Sequence, residues 1–218
     1  VPHYGISTGF GALASKRVPM EQRAILQHSL IRSHAASTGA EVEREVIRAM
    51  MLLRLKTMAS GHTGVRREVV LGYAAMLNAG ITPITGEYGS LGCSGDLAPL
   101  AHAALALTGE GIVRDKAGTQ MPAAEALAAA GLAPITLREK EGLALINGTD
   151  GMLGQLILAL TDLDTLVTTA DLTTAMTVQA LCGIDAVFAP DLQALRPHEG
   201  QKLSAANIAA LLKDSPLI

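Results

Sequence analysis

Gly92-Cys93-Ser94-Gly95-Asp96-Leu97-Ala98 sets a small residue, a serine and a glycine in a row near the middle of the chain. Those are the types a backbone needs to cyclise on itself and make its own electrophile. If the Gly95 nitrogen attacks the Cys93 carbonyl carbon and two waters leave, one of them carrying off the Ser94 hydroxyl, a five-membered ring with an exocyclic methylene remains. Gly95 has no Cβ, so its nitrogen can approach the carbonyl two residues back, and Gly92 frees the tight turn. Ser94 alone of the three can lose its side chain to leave a double bond. Asp96-Leu97-Ala98-Pro99-Leu100 reads as a helix start, with an acidic residue and an early proline where the first-turn amides are unpaired anyway. The positive end of that helix would face a ring that must accept negative charge. Taken alone, Gly-x-Ser-Gly-Asp is also an ordinary capped turn, and so short a pattern does not choose between the two.

Three other places could carry chemistry. Tyr4 heads the loop Tyr4-Gly5-Ile6-Ser7-Thr8-Gly9-Phe10-Gly11; no Gly-Lys-Ser/Thr follows, so a phosphate cradle is unsupported. A phenol is a poor base at its usual pKa near 10, so a site using one must stabilise the phenolate. His34 follows Ser33 near the end of an amphipathic helix, where pattern alone also fits a partly exposed structural histidine. Asn147-Gly148 after a helix is also an ordinary C-cap. His3, His28, His62, His102 and His198 are not spaced as metal ligands, and H-E-x-x-H and C-x-x-C are absent, so no catalytic metal is expected. None of Lys16, Lys56, Lys116, Lys140, Lys202 or Lys213 sits in a pocket motif suited to a Schiff base, so no pyridoxal phosphate is expected either.

The longer string Glu87-Tyr88-Gly89-Ser90-Leu91-Gly92-Cys93-Ser94-Gly95-Asp96-Leu97-Ala98-Pro99-Leu100-Ala101-His102 resembles the signature of the aromatic amino acid ammonia-lyases. The resemblance runs over essentially the whole chain, with three motifs in family order. It implies a methylidene-imidazolone formed autocatalytically from Cys93, Ser94 and Gly95. The family most often has Ala where this chain has Cys93, but only the backbone carbonyl of that position enters the ring. It further implies that Tyr4 is the catalytic tyrosine that takes the substrate β-proton, and that Asn147, within Glu141-Gly142-Leu143-Ala144-Leu145-Ile146-Asn147-Gly148-Thr149, binds the amino-acid end of the substrate. In the family the adjacent pair at the place of Ser33-His34 selects the substrate ring: Phe-Leu for phenylalanine, His-Leu for tyrosine, Ser-His for histidine. The implied activity is elimination of ammonia from L-histidine to give urocanate. Phenylalanine or tyrosine lyases and aminomutases share the ring chemistry, and a noncatalytic all-α scaffold is the rival outside enzymes. The implied fold is mainly α, a fragment of the fumarase/aspartase-like helical fold, in which residues 1–218 form a single partial domain. That portion carries the tyrosine loop, the ring site and the start of a central helical bundle. The rest of the site, including an arginine for the carboxylate and an acidic group near the imidazole, would come from a C-terminal half outside this chain and from other subunits of a homotetramer.

The elements that must position these residues are mostly helical. Pro19 opens a helix to about Ala36 with Ile25, Leu26, Leu30 and Ile31 on one stripe, and Thr38-Gly39 separates it from a second, Glu41 to about Ser60. Further helices are expected from about Gly64 to Asn78, Asp96 to Thr108, Pro122 to Ala130, Leu137 to Ile146, Gly151 to Gly183, and from Ser204. Ile112 to Met121, with Asp115-Lys116-Ala117-Gly118 at its centre, predicts a small hairpin as the one sheet. Pro190 to Gly200 is expected to be a polar loop. The long helix is apolar nearly all round, which suits the centre of a bundle or oligomer better than a surface. A net charge of −3 and 2% aromatic residues leave no basic footprint and no stacking platforms, which argues against nucleic acid as a partner. Two cysteines are too few for a disulfide framework, and a reducing, cytoplasmic compartment is the simpler expectation. No targeting segment is visible, and the one long uncharged run, Val69 to Gly86, holds Asn78, Gly80 and Pro83, so no membrane span is expected.

Overall fold

A computed structural model describes residues 1–218 and divides them into two compact units, Val1–Leu158 and Ala159–Ile218. In the first unit, helices α1 (Arg23–His34), α2 (Arg44–Ala59), α3 (Arg67–Asn78), α4 (Leu97–Leu107), α5 (Ala123–Ala129) and α6 (Glu141–Ile146) surround one apolar core. α4 is the centre: it packs on α1, α2, α3, α5 and α6, and α1 also packs on α6. Its composition explains the position. Ala98, Ala101, Ala103, Ala104 and Ala106 are buried around it, so neighbours approach closely on every side, while Leu100 and Leu107 fill the gaps. Each such leucine contributes about 1.5–3 kcal/mol by leaving water.

The hairpin forms as expected from β4 (Ile112–Arg114) and β5 (Gln120–Pro122), pairing Val113 with Met121. It is not the only sheet. β2 (Thr82–Pro83) adds antiparallel to β4, with Pro83 on an edge strand where its missing N–H is tolerated. A separate antiparallel pair joins β1 (Thr38–Glu41) to β3 (Gly86–Tyr88). These strands of two to four residues are too short to display a period of two, which is why the sequence pattern shows only a break at Thr38-Gly39. Because β1 takes residues 38–41, α2 starts at Arg44 rather than Glu41. α1 is likewise shorter than expected: Met20–Gln22 is a 3-10 turn, Ile25 is exposed, and only Leu30 and Ile31 of the expected stripe are buried.

α7 (Asp150–Ala180) begins in the first unit and continues into the second. Leu153, Leu156 and Ile157 are exposed in the part of α7 within the first unit, and Leu160, Leu163, Leu166, Val167, Leu172 and Met176 in the part within the second. By length and composition alone this helical region could cross a membrane. In the second unit, Ala175 of α7 packs with Ile208 and Leu212 of α9 (Glu199–Leu212), and Asn207 Nδ2 donates to Asp171 Oδ2 at 2.9 Å. The segment expected as a polar loop instead holds a short helix α8 (Pro190–Gln193), which follows a 3-10 turn at Asp185–Phe188.

Candidate active site

The Gly92–Asp96 segment is a tight turn between β3 and α4. Leu91 N–H donates to the Gly95 carbonyl at 3.0 Å, and Gly95 N–H donates to the Gly92 carbonyl at 2.8 Å. Gly92 (φ 66°) and Cys93 (φ 51°) are both left-handed; for a residue with a side chain this costs on the order of 1 kcal/mol. A Cβ on Gly95 would stand 2.8 Å from both the Gly92 carbonyl oxygen and Leu91 Cβ, so the turn closes only over glycine. Cys93 and Ser94 are exposed. α4 starts at Leu97, two residues after Gly95, so the turn leads directly into the N-terminal end of this helix. The Asp96 carboxylate does not cap its own helix, as the sequence pattern suggests. It is fully buried, accepts the Ser90 hydroxyl on Oδ1, and accepts the Met152 N–H of α7 on Oδ2 at 2.9 Å. Met152 in turn receives the Cys93 N–H on its Sδ at 3.0 Å. The turn is therefore clamped to the start of α7 from both ends.

Asn147 is the C-cap of α6 in an extended conformation, φ −99° and ψ 103°, with its side chain exposed. Its carbonyl accepts Arg54 Nη1 at 2.7 Å, and the same Nη1 lies 3.4 Å from Asp150 Oδ2. A Cβ on Gly151 would meet Asp96 Cγ at 3.0 Å. Asn147 and the Cys93-Ser94-Gly95 turn are thus joined through Asp150, Gly151 and Asp96, and the fold brings them to one place. Burial pushes the Asp150 carboxyl up, opposed by the Arg54 charge and reinforced by Asp96.

Tyr4 and the Ser33-His34 pair are held separately. Tyr4 Oη accepts the Gly11 N–H at 3.0 Å, and the Tyr4 ring meets Phe10 edge-on at 5.9 Å. The Lys140 ammonium lies 5.2 Å from the ring centroid and donates to the Tyr4 carbonyl at 2.7 Å. Buried Gln27 stitches this loop to the protein, donating to the Gly5 carbonyl and accepting the Gly142 N–H of α6 at 3.0 Å. At the other end of α1, His34 Nδ1 lies 2.8 Å from the Leu30 carbonyl. A carbonyl only accepts, so Nδ1–H donates to it, with Ser33 Oγ 3.0 Å from the same nitrogen, and Nε2 has no partner in the chain. No hydrogen bond, ion pair or ring contact joins Tyr4 or His34 to the Cys93–Gly95 turn within this chain.

All of residues 1–218 match the family of aromatic amino acid lyases. The chain belongs to that family. The histidine ammonia-lyase of Streptomyces coelicolor is 63% identical over 216 residues, covering 99% of this chain and 42% of that protein. The solved histidine ammonia-lyase of Trypanosoma cruzi aligns with a TM-score of 0.88 at 39% identity, covering 98% of this chain and 42% of that one. Tyrosine aminomutase from Streptomyces globisporus aligns with a TM-score of 0.91 at 40% identity, covering 100% of this chain and 41% of that one. This aromatic amino acid lyase chain therefore spans about two fifths of the length of the relatives it matches.

Four residues of the lyase chain that position the site escape the motif reading. Met152 and Gln27 each act through two hydrogen bonds to residues 22 or more positions away, which no local pattern reveals, and Ser90 binds Asp96 and Gly92 through a hydroxyl that the signature string does not single out. Arg54 did leave a signal, because it interrupts the apolar face of α2 between Met50, Met51 and Met58. His102, outside the expected site, ties α4 to the segment after Ser33-His34. Its Nε2 lies 2.8 Å from Ser37 Oγ, which itself accepts the Gly86 N–H at 2.8 Å. Burial holds this imidazole below its ordinary 6.5.

Proposed function

We propose that this chain carries the ring-forming portion of a histidine ammonia-lyase, which eliminates ammonia from L-histidine to give urocanate. The observation that carries the reading is the Gly92–Asp96 turn, whose residues fit the methylidene-imidazolone. Glycine is required at 95, the Gly95 N–H is turned back onto the Gly92 carbonyl so that the segment is closed over Cys93 and Ser94, and Ser94 is exposed. Cyclisation forms the Gly95 N to Cys93 C bond and releases the Cys93 carbonyl oxygen as water with the Gly95 and Ser94 amide hydrogens, leaving a double bond between Cys93 C and Ser94 N. Loss of the Ser94 hydroxyl with its Cα proton releases the second. The group would supply an electrophilic methylene, activating the substrate for loss of its amine. Tyr4 takes the β-proton as the Cα–N bond breaks, and the Asn147 amide holds the amino-acid end. His34 Nε2 accepts the substrate imidazole N–H, which an aliphatic residue packed on a benzene ring could not do. The likeness to a tyrosine aminomutase raises the alternative of a mutase or another lyase on the same ring; the Ser33-His34 pair argues against a phenylalanine or tyrosine lyase, and the identity of the product separates a mutase. The exposed apolar residues of α7 support assembly with further helices of the same enzyme, as a homotetramer, in preference to a lipid partner. Cys93 and Cys182, both free and exposed, suit the cytoplasm.

The test is the full-length enzyme and its Ser94→Ala variant, followed by intact mass and by urocanate formation from L-histidine. Wild type is expected to lack the mass of two waters in the peptide around Ser94 and to release urocanate, and the variant to keep both waters and lose turnover. Full activity in Ser94→Ala, or a β-amino acid as the main product, overturns the proposal.

A further inference from the structure

Arg54 is 4% exposed, yet its guanidinium is poorly satisfied. Nη1 serves the Asn147 carbonyl and the Asp150 carboxylate, while Nε has no partner. Tyr73 Oη, fully buried, has none either, and Asp150 Oδ2 is reached only by the 3.4 Å ion pair. Stability does not account for such a cluster, since replacing a buried ion pair by apolar residues of similar volume is often neutral or favourable. Its placement suggests a different role. The Asn147 carbonyl is an orphan acceptor at the end of α6, and Asp150 opens α7, so Arg54 complements the negative end of one helix while Asp150 complements the positive end of the next. Between them Gly148 has no room to move: a Cβ there would fall inside the Asp150 carboxylate and 2.6 Å from Arg54 Nη1. The backbone of Asn147 is thus fixed from behind while its side chain is left open to solvent.

We infer that Arg54, held by Asp150 and packed against Gly148, is the positioning residue that aims the Asn147 amide at the substrate. The inference rests on Asn147 binding substrate, as proposed above. A side chain that must hold a ligand in a reactive pose needs a fixed Cα, and a displacement of about 1 Å can cost on the order of 100-fold in rate.

The experiment is a mutant cycle in the full-length enzyme, read as kcat/KM for L-histidine. Arg54→Met is combined with Asp150→Asn so that no charge is left buried alone, and the pair is measured with and without Asn147→Ala. The expected result is a loss of roughly 10- to 100-fold for the pair in the wild-type background, shrinking to within about twofold once Asn147 is already Ala. If the paired variant does not fold, Gly148→Ala, which keeps both charges and presses on them, is put through the same cycle with the same expectation. Losses that multiply fully with that of Asn147→Ala mean a merely structural role and overturn the inference while leaving Asn147 as a substrate residue. Wild-type kinetics in Asn147→Ala alone overturn the reading of Asn147 itself, and this inference with it.

Discussion

Replacing Glu141 by glutamine tests how the site is held, because α6 is flanked by Lys140, which binds Tyr4 of the tyrosine loop, at one end and by Asn147 at the other. The Glu141 carboxylate is 2% exposed and takes four N–H donors: Arg66 N at 3.0 Å, Arg66 Nε at 2.8 Å, Arg66 Nη2 at 2.9 Å and Arg138 N at 2.7 Å. Glutamine keeps the shape but turns one oxygen into an NH₂ group that faces two of those donors. Breaking a buried pair in this way costs about 3–5 kcal/mol, and the 31% exposure of Arg66 lets water recover some of it, so about 3 kcal/mol is expected. That corresponds to a roughly 100-fold loss of protection against local opening. Hydrogen exchange read by mass spectrometry on the peptide spanning Glu141–Ile146 of the full-length enzyme measures it directly. Burial would raise this carboxyl, but the Arg66 side chain and the Arg138 and Arg66 amides outweigh it, and the folded pKa lies below the ordinary 4.5. The stabilisation is therefore complete above pH 4.5 and lost as pH falls through the folded value, so wild type and Glu141→Gln should converge in acid. Protection within about twofold of wild type at neutral pH would refute the reasoning.

Other outcomes follow from the same geometry. Ser33→Phe with His34→Leu should cost histidine turnover far more than a methylene-sized effect, because a buried substrate nitrogen loses its acceptor; an unchanged preference for histidine over phenylalanine would make the pair structural. Tyr4→Phe should abolish proton removal, and a loss of only a few-fold in kcat would take Tyr4 out of that role. Since burial holds folded His102 below 6.5, the unfolded chain binds the proton first. Its contribution is whole above pH 6.5 and declines as pH drops through the folded value. His102→Gln should flatten that part of the stability profile in denaturant titrations, and a profile unchanged between pH 5 and 7 would show that burial of His102 does not depress its titration.

What the chain order reveals about this site is the chemistry, and what it conceals is the support. Gly92 to Gly95 could be read as a cyclising turn because the reaction itself dictates residue types at adjacent positions, and the φ values and the crowding at Gly95 follow from the same demand. Helices long enough for several turns, such as α2 and α4, announce themselves by period, whereas β1, β2 and β3 depend on partners more than forty residues apart or on strands of two or three residues. Asp96 shows the limit most clearly. An aspartate before a helix reads as that helix's own cap, because local competition for first-turn amides is all a sequence window contains. Here the carboxylate is claimed by Ser90 and by the start of a helix more than fifty residues later, so one side chain fixes the ring turn to the segment that bears Asn147. A cap spent at a distance costs α4 some local stability. It gains the alignment of two groups that must act on one substrate, and Arg54 repeats the arrangement from the other side of Asn147.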